Sequence, residues 1–258
     1  MIKRVLILLY DLVIMIANII GAWKDYASYM GSRVYNENNC FFAVNKNSQI
    51  SCDFSNCIVC AERSNLDNED IFKIKPVQTY TIFPGKELLM QNVNGGKIAS
   101  LMVLRNCKFI KLAEAKSSPE LRIRELEFNE LSKFAEIVFD AFAYDKENIA
   151  QSIEFYKRGF ESGMVRYYGL NKNSTLVSVV LIHQSSNKLL YGLELVATSK
   201  QYQGNGYSKF LLTQVLEQLF LSRPDGVWLF AIEGSVAETL YKKLGFSIVG
   251  KILISKVQ

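Results

Sequence analysis

Between the apolar, strand-like run Leu193–Thr198 and an amphipathic helical stretch lies Tyr202, Gln203, Gly204, Asn205, Gly206, Tyr207, Ser208, and this junction constrains the chain more than any other. Glycines at a strand-to-helix turn let the backbone bend without a Cβ in the way. Consecutive amide N–H groups and the positive end of the following helix can then point at one anion, which makes the turn a candidate phosphate cradle. A glycine pair before a helix is a weak signal alone, so the rest of the chain has to support it.

The chain has 258 residues, 49% of them apolar, enough for one large domain or two small ones and too apolar for a disordered polymer. Its 30 basic and 25 acidic residues are dispersed, with a net charge of +4 over residues 1–118 and +1 over the remainder. Neither part has the basic excess of a dedicated nucleic-acid binder. Five cysteines, an odd number, do not suggest a disulfide framework and fit a reducing cytoplasm. Cys40, Cys52, Cys57 and Cys60 have no histidine nearby, and cysteines acting as small hydrophobes explain them better than a zinc set, so no metal is expected. Val5–Trp23 is a mostly apolar run of 19 residues, long enough to span a bilayer. Asp11 and Asn18 fall inside it, however, and Leu9, Leu12, Val13, Ile16 and Ile20 form one wide apolar face. A buried helix is the expected reading and a membrane segment the alternative.

A polar stretch ending in proline, Lys116–Pro119, marks a break that divides the chain into residues 1–118 and 119–258. Beyond it the periodicities predict a strand over Leu121–Leu126, helices over Asn129–Phe142 and Lys146–Glu161, and strands over Met164–Leu170 and Thr175–Gln184. After the glycine loop a helix buries Phe210, Leu211, Val215, Leu216, Leu219 and Phe220, and Val227–Ile232 is a strand. Ser235 and Glu238 then form a capping box for a short helix that Gly245 stops, and Phe246–Ser255 supplies one or two closing strands. Ahead of the break, helical patterning reaches about Met30 and strand-like runs follow at Cys40–Val44, Asn56–Ala61, Thr79–Phe83 and Ser100–Leu104.

A second block, Ala237 to Phe246, reads Ala, Glu, Thr, Leu, Tyr, Lys, Lys, Leu, Gly, Phe. Together with the glycine loop it resembles the GNAT superfamily of acyl-CoA-dependent N-acyltransferases, whose pyrophosphate loop runs Arg or Gln, any, any, Gly, any, Gly or Ala. Gln203, Gly206 and Ser208 stand at those places, and the order of elements over 121–258 is also the GNAT order. The resemblance implies an α/β (α+β) fold whose mixed, mostly antiparallel sheet is flanked by helices and preceded by a smaller α/β N-terminal domain. For that domain, which has no glycine loop of its own, a degenerate GNAT-like half is one reading. The implied activity is N-acetyl transfer from acetyl-CoA to an amine, by direct attack in a ternary complex.

By the same resemblance, backbone groups of Val196 and Thr198 pair with the pantetheine arm, and amides of Gln203, Gly204, Asn205, Gly206, Tyr207 and Ser208 hold the pyrophosphate. Tyr241 lies beside the sulfur and donates to the departing thiolate. The attack also needs a neutral amine. A lysine-like amine of pKa ~10.4 is neutral at pH 7 in roughly one molecule in 2,500, which costs about 4.6 kcal/mol and calls for a base. Glu194, four residues before Thr198, is the leading candidate base, and Glu233 is a weaker one. Two positions depart from the family pattern: Lys200 stands where a proline is common, and Gly234 where an asparagine is common. His183, the only histidine, lies on a strand away from both blocks and reads as structural, and no serine–histidine–acid set can be assembled.

A catalytically silent acyl-CoA-binding or interaction protein that kept the fold is the competing reading, and a membrane-tethered enzyme is a third. The expected acceptor-facing segments are Ala141–Lys157 and Lys251–Gln258, and they carry no motif. Polyamine, amino acid, aminoglycoside and protein amine fit them equally.

Overall fold

The computed structural model describes residues 2–30, 32–37, 40–44, 56–60, 78–84, 96–106 and 120–256. The first segment is the helix α1 (Ile2–Tyr29), followed by strands β1 (Arg33–Glu37), β2 (Cys40–Val44), β3 (Asn56–Cys60), β4 (Gln78–Pro84) and β5 (Lys97–Leu104). After them come β6 (Leu121–Glu125), α2 (Leu131–Phe142), α3 (Ile149–Glu161), β7 (Val165–Lys172), β8 (Thr175–Gln184) and β9 (Leu190–Thr198). The chain continues through α4 (Tyr207–Phe220), β10 (Gly226–Ile232), α5 (Val236–Lys243) and β11 (Ser247–Lys256). These elements match the sequence expectation closely beyond residue 119, where the one or two closing strands expected are a single strand. β1 was not anticipated.

The described strands all join one eleven-stranded sheet in the order β1-β2-β3-β4-β11-β5-β10-β9-β8-β7-β6. Apart from the edge strand β6, the order is symmetrical about the antiparallel pair β5 and β11. On the outer side of β5 lies β10, which is parallel to β9, and on the outer side of β11 lies β4, which is parallel to β3. The run β1-β2-β3-β4 therefore repeats β7-β8-β9-β10 in order and direction, and each half has placed its last strand in the sheet of the other. The expected break at Lys116–Pro119 lies outside the described residues. β5 precedes it in sequence and is nonetheless bonded on both sides to strands that follow it, so the sheet runs unbroken across both segments.

Helices cover both faces over residues 120–256. On one face α1, α2 and α3 pack over Tyr167, Val179, Leu181 and Trp228, and on the other α4 packs over Met102, Val180, Ile182 and Leu229. Ile16, Ile19, Trp23 and Tyr26 of α1, with Met30 just after it, recur at three- and four-residue spacing and are all buried, which is why this part of the apolar run is a core helix. Among the described residues no helix is long and apolar enough to cross a membrane. Trp23 packs against Trp228 and Phe230, and Tyr26 against His183, so α1 sits against the middle of the C-terminal strands.

Removing β5 would expose the inner edges of both β10 and β11, and an unpaired apolar edge invites pairing with another chain. The fragment 119–258 expressed alone should be insoluble or self-associated. Light scattering on that fragment tests this, and a monomer with a cooperative thermal transition would show that the central strands are dispensable.

Candidate active site

The parallel strands β9 and β10 are bonded only over Leu190–Gly192 and Gly226–Trp228. Beyond Gly192 the edge of β9 that faces β10 has no strand partner. The cause lies in β9 itself. Glu194 pairs with Leu181 and Ala197 with Val179, so Leu195 and Val196 together oppose a single residue of β8. Leu195 sits in this bulge at φ 50, a left-handed conformation that costs a leucine about 1 kcal/mol or more. The bulge bends β9 and opens a wedge between the two parallel strands.

At the end of β9 the chain makes a single turn of 3-10 helix, Lys200–Tyr202, and enters the glycine loop. Gly204 and Gly206 both have φ +78, and a Cβ at either would meet nothing within 4 Å, so backbone conformation rather than crowding requires glycine there. The loop's side chains hold its shape. Gln203 Nε2 donates to the Thr198 carbonyl at 3.0 Å, and Asn205 Nδ2 donates to the carbonyls of Tyr202 at 3.0 Å and Gln203 at 3.1 Å. Ser208 and Thr198 share a hydroxyl hydrogen bond of 2.6 Å, and Thr198 and Ser178 one of 2.8 Å, which pins the first turn of α4 to the sheet. The N-cap of α4 is Gly206, with no side-chain cap, so the first-turn amides face outward toward the exposed loop. Lys172, at the end of β7, holds its ammonium 5.9 Å from the Tyr207 ring centroid and adds a positive charge beside this turn.

Glu194 lies where the bulge begins and is 7% exposed. Its Oε1 is 4.0 Å from His183 Nε2. His183 is fully buried, its ring stacked on Tyr26 at 4.3 Å and set edge-on to Trp228 at 5.5 Å. Burial pulls its imidazole down to about 3, so it is neutral at physiological pH. Gly192, directly opposite His183 on β9, is required for space, because a Cβ there would fall 1.9 Å from His183 Nε2. Tyr241, on α5, is buried against Phe246. Burial pushes its phenol up, and the charge of Glu194 pushes it further. The two candidate catalytic groups, 47 positions apart in sequence, are therefore close enough to feel one another.

A second set of charges sets the position of α5. Ser235 caps the helix as expected, accepting from the Glu238 amide at 3.1 Å. The Glu238 side chain does not close the expected capping box on Ser235. It accepts instead from the Gly234 amide at 3.1 Å, from Ser100 of β5 at 2.5 Å and from Lys242 at 3.0 Å. Burial alone would raise this carboxyl, but Ser100, Lys242 and the Gly234 amide together hold it down at about 2. Lys251 donates to Ser100 at 3.1 Å and to Glu233. Lys251 is thus buried in an ion pair with Glu233.

Residues 122–249 match the family model described as an acetyltransferase (GNAT) domain, so this part of the chain is a GNAT domain. Over most of its length it is similar to a solved GCN5-related N-acetyltransferase from Kribbella flavida, with 12% identity, 92% of this chain and 94% of that chain covered, and a TM-score of 0.60. A functionally unknown conserved protein from Staphylococcus epidermidis ATCC 12228 is similar at 14% identity, with 88% and 94% covered and a TM-score of 0.60. A tandem GNAT protein from the clavulanic acid biosynthesis pathway is similar at 8% identity, with 84% and 78% covered and a TM-score of 0.55. At these identities the likeness is one of fold. Comparison with curated proteins finds no match.

Sequence reasoning named Gln203–Ser208, Glu194 and Tyr241 as candidates and did not anticipate three features beside them. Lys172 carries no motif, and nothing in a leucine announces the bulge at Leu195. His183 was legible in principle, since pairing β8 with β9 across the short turn sets the lone histidine opposite a strand glycine and diagonal to Glu194. Gly192→Ala should cost about 1–3 kcal/mol, because His183 is locked between two rings and cannot yield. Urea denaturation checks this, and the loss should largely vanish when Gly192→Ala is made in a His183→Ala background.

Proposed function

We propose that the protein is an acyl-CoA-dependent N-acetyltransferase in which acetyl-CoA occupies the wedge between β9 and β10 and an amine attacks it directly in a ternary complex. The observation that supports this reading is the bulged, splayed β9, which carries Glu194 and leads into the uncapped start of α4, with the buried Tyr241 near enough to feel the Glu194 charge. The residues fit the cosubstrate. Backbone amides of Gln203–Ser208 would hold the pyrophosphate, with Lys172 adding charge, and the free edge of β9 at Val196 and Thr198 would pair with the pantetheine amides. Thr198 gives one lone pair of its carbonyl to Gln203 and keeps the other.

In the transfer, the amine lone pair attacks the thioester carbon, the C–N bond forms and the C–S bond breaks. The amine proton goes to Glu194, directly or through water, and the electron pair leaves on sulfur. A phenol pushed above its usual pKa of about 10 is a poor donor of a whole proton to a thiolate near 8.5, so Tyr241 stabilises the sulfur by hydrogen bonding. His183, 4.0 Å from the Glu194 carboxylate, is a neutral neighbour of that carboxylate. The acceptor in this reading is an amine.

Binding of acetyl-CoA at 100 times its dissociation constant adds about 2.7 kcal/mol, which should raise the thermal midpoint by roughly 5–10 °C, while ATP as a control should do little. In an amine screen read by thiol release, Glu194→Gln should lower kcat/KM by about 100-fold or more with acetyl-CoA affinity unchanged. No midpoint shift at millimolar acetyl-CoA would sink this function. A shift with no turnover on any amine would favour the silent acyl-CoA-binding protein instead.

A further inference from the structure

Asp140 makes contacts that its own helix does not call for. It lies in the last turn of α2, where the negative end of the helix dipole disfavours an anion. Its Oδ2 accepts the backbone N–H of Lys200 at 2.8 Å and the hydroxyl of Ser199 at 3.1 Å. Those two residues open the 3-10 turn whose next residue, Gln203, begins the glycine loop. Ser199 is the turn's own N-cap residue but makes no cap bond with its side chain, because that hydroxyl is turned to Asp140. The turn is therefore capped from another element, sixty residues away in sequence.

The family resemblance places a proline at position 200. A proline has no N–H, so the 2.8 Å bond is open only to a chain that lacks it. The Asp140 carboxyl is held below the ordinary aspartate range, chiefly by the Lys200 amide and further by the Ser199 hydroxyl against some desolvation, and it is ionised at neutral pH. Two residues after Asp140 the helix ends, and Ala143, at φ 54, turns the chain into the loop between α2 and α3. One carboxylate thus links the loop on the cofactor side to the loop on the acceptor side.

We propose that Asp140 is a positioning residue for the cofactor loop, replacing the conformational restraint of a proline with a charge-assisted hydrogen bond to the backbone of Lys200. The inference rests on the reading of Gln203–Ser208 as the CoA pyrophosphate cradle. It differs from a general packing role because the bond acts on the one turn that sets the direction of the cradle amides.

The test uses the full chain with CoA as the probe. Ser199 has φ −52 and ψ 137, the extended conformation that a following proline requires, and position 200 is the first residue of the turn, so Lys200→Pro removes the N–H without remaking the loop. Calorimetry on wild type, Asp140→Ala, Asp140→Asn, Lys200→Pro and the Asp140→Ala/Lys200→Pro pair should show CoA bound about tenfold more weakly by Asp140→Ala. Asp140→Asn, which keeps an acceptor oxygen, should retain most of the affinity. The Asp140→Ala penalty should shrink in the Lys200→Pro background, because the two changes remove the same bond. Hydrogen exchange of the 203–209 amides without ligand should be faster in Asp140→Ala than in wild type. Unchanged CoA affinity and unchanged exchange in Asp140→Ala overturn the proposal, as does an equal penalty in both backgrounds. If wild type does not bind CoA while Asp140→Ala still speeds exchange, the cradle reading falls and the positioning of the loop stands.

Discussion

The antiparallel pairing of β5 with β11 at the centre of the sheet is the interaction on which the rest of the structure depends. Each strand is the last of its half and lies inside the sheet of the other, so neither half can satisfy its backbone hydrogen bonds alone. β10, which forms one side of the wedge, is bonded to β9 over only three residue pairs and to β5 along nearly its whole length. The short bonding to β9 allows the splay, and the long bonding to β5 keeps β10 in place when the splay opens. The N-terminal residues are thus a structural part of the candidate active site as well as its neighbour.

Charge in this molecule is buried where it fixes geometry. Glu238 reaches Ser100 on β5, the amide of Gly234 and Lys242, and these contacts outweigh the desolvation that would otherwise protonate it. Because Glu238 and Tyr241 share the short helix α5, holding one carboxylate against the sheet holds the phenol as well. An asparagine is common at position 234 in the family, and here a glycine at φ +74 gives its amide to Glu238 instead. On the other side of the sheet His183 does the opposite work. It is kept neutral by burial between Tyr26 and Trp228, and it stands 4.0 Å from Glu194 as an uncharged neighbour.

Much of the fold beyond residue 119 was legible because strand and helix periods, caps and glycines act over a few residues. Thr175–Gln184 and the helix that Gly245 stops were readable from alternation and from turn chemistry. The capping box was half right. Ser235 caps its helix through a bond three residues long, but the Glu238 side chain had a choice of partners, and a serine on a distant strand was the better one. The candidate site divides the same way. The cradle follows from glycines in consecutive sequence, whereas His183 beside Glu194 depends on strand register, and Lys172 beside Tyr207 depends on how the end of β7 meets the start of α4.

The sequence by itself determined where strands and helices lie, where the backbone must take positive φ at Gly204 and Gly206, and which residues were available for acyl-transfer chemistry. Only the tertiary structure decided that β5 lies between β10 and β11, that β9 bulges at a leucine, and that Asp140 caps a turn on another element. The physical reason is that alternation fixes the face a strand residue occupies but not the strand beside it. Neighbours across a sheet, and the partner of a buried charge, are selected by the packing of the whole chain.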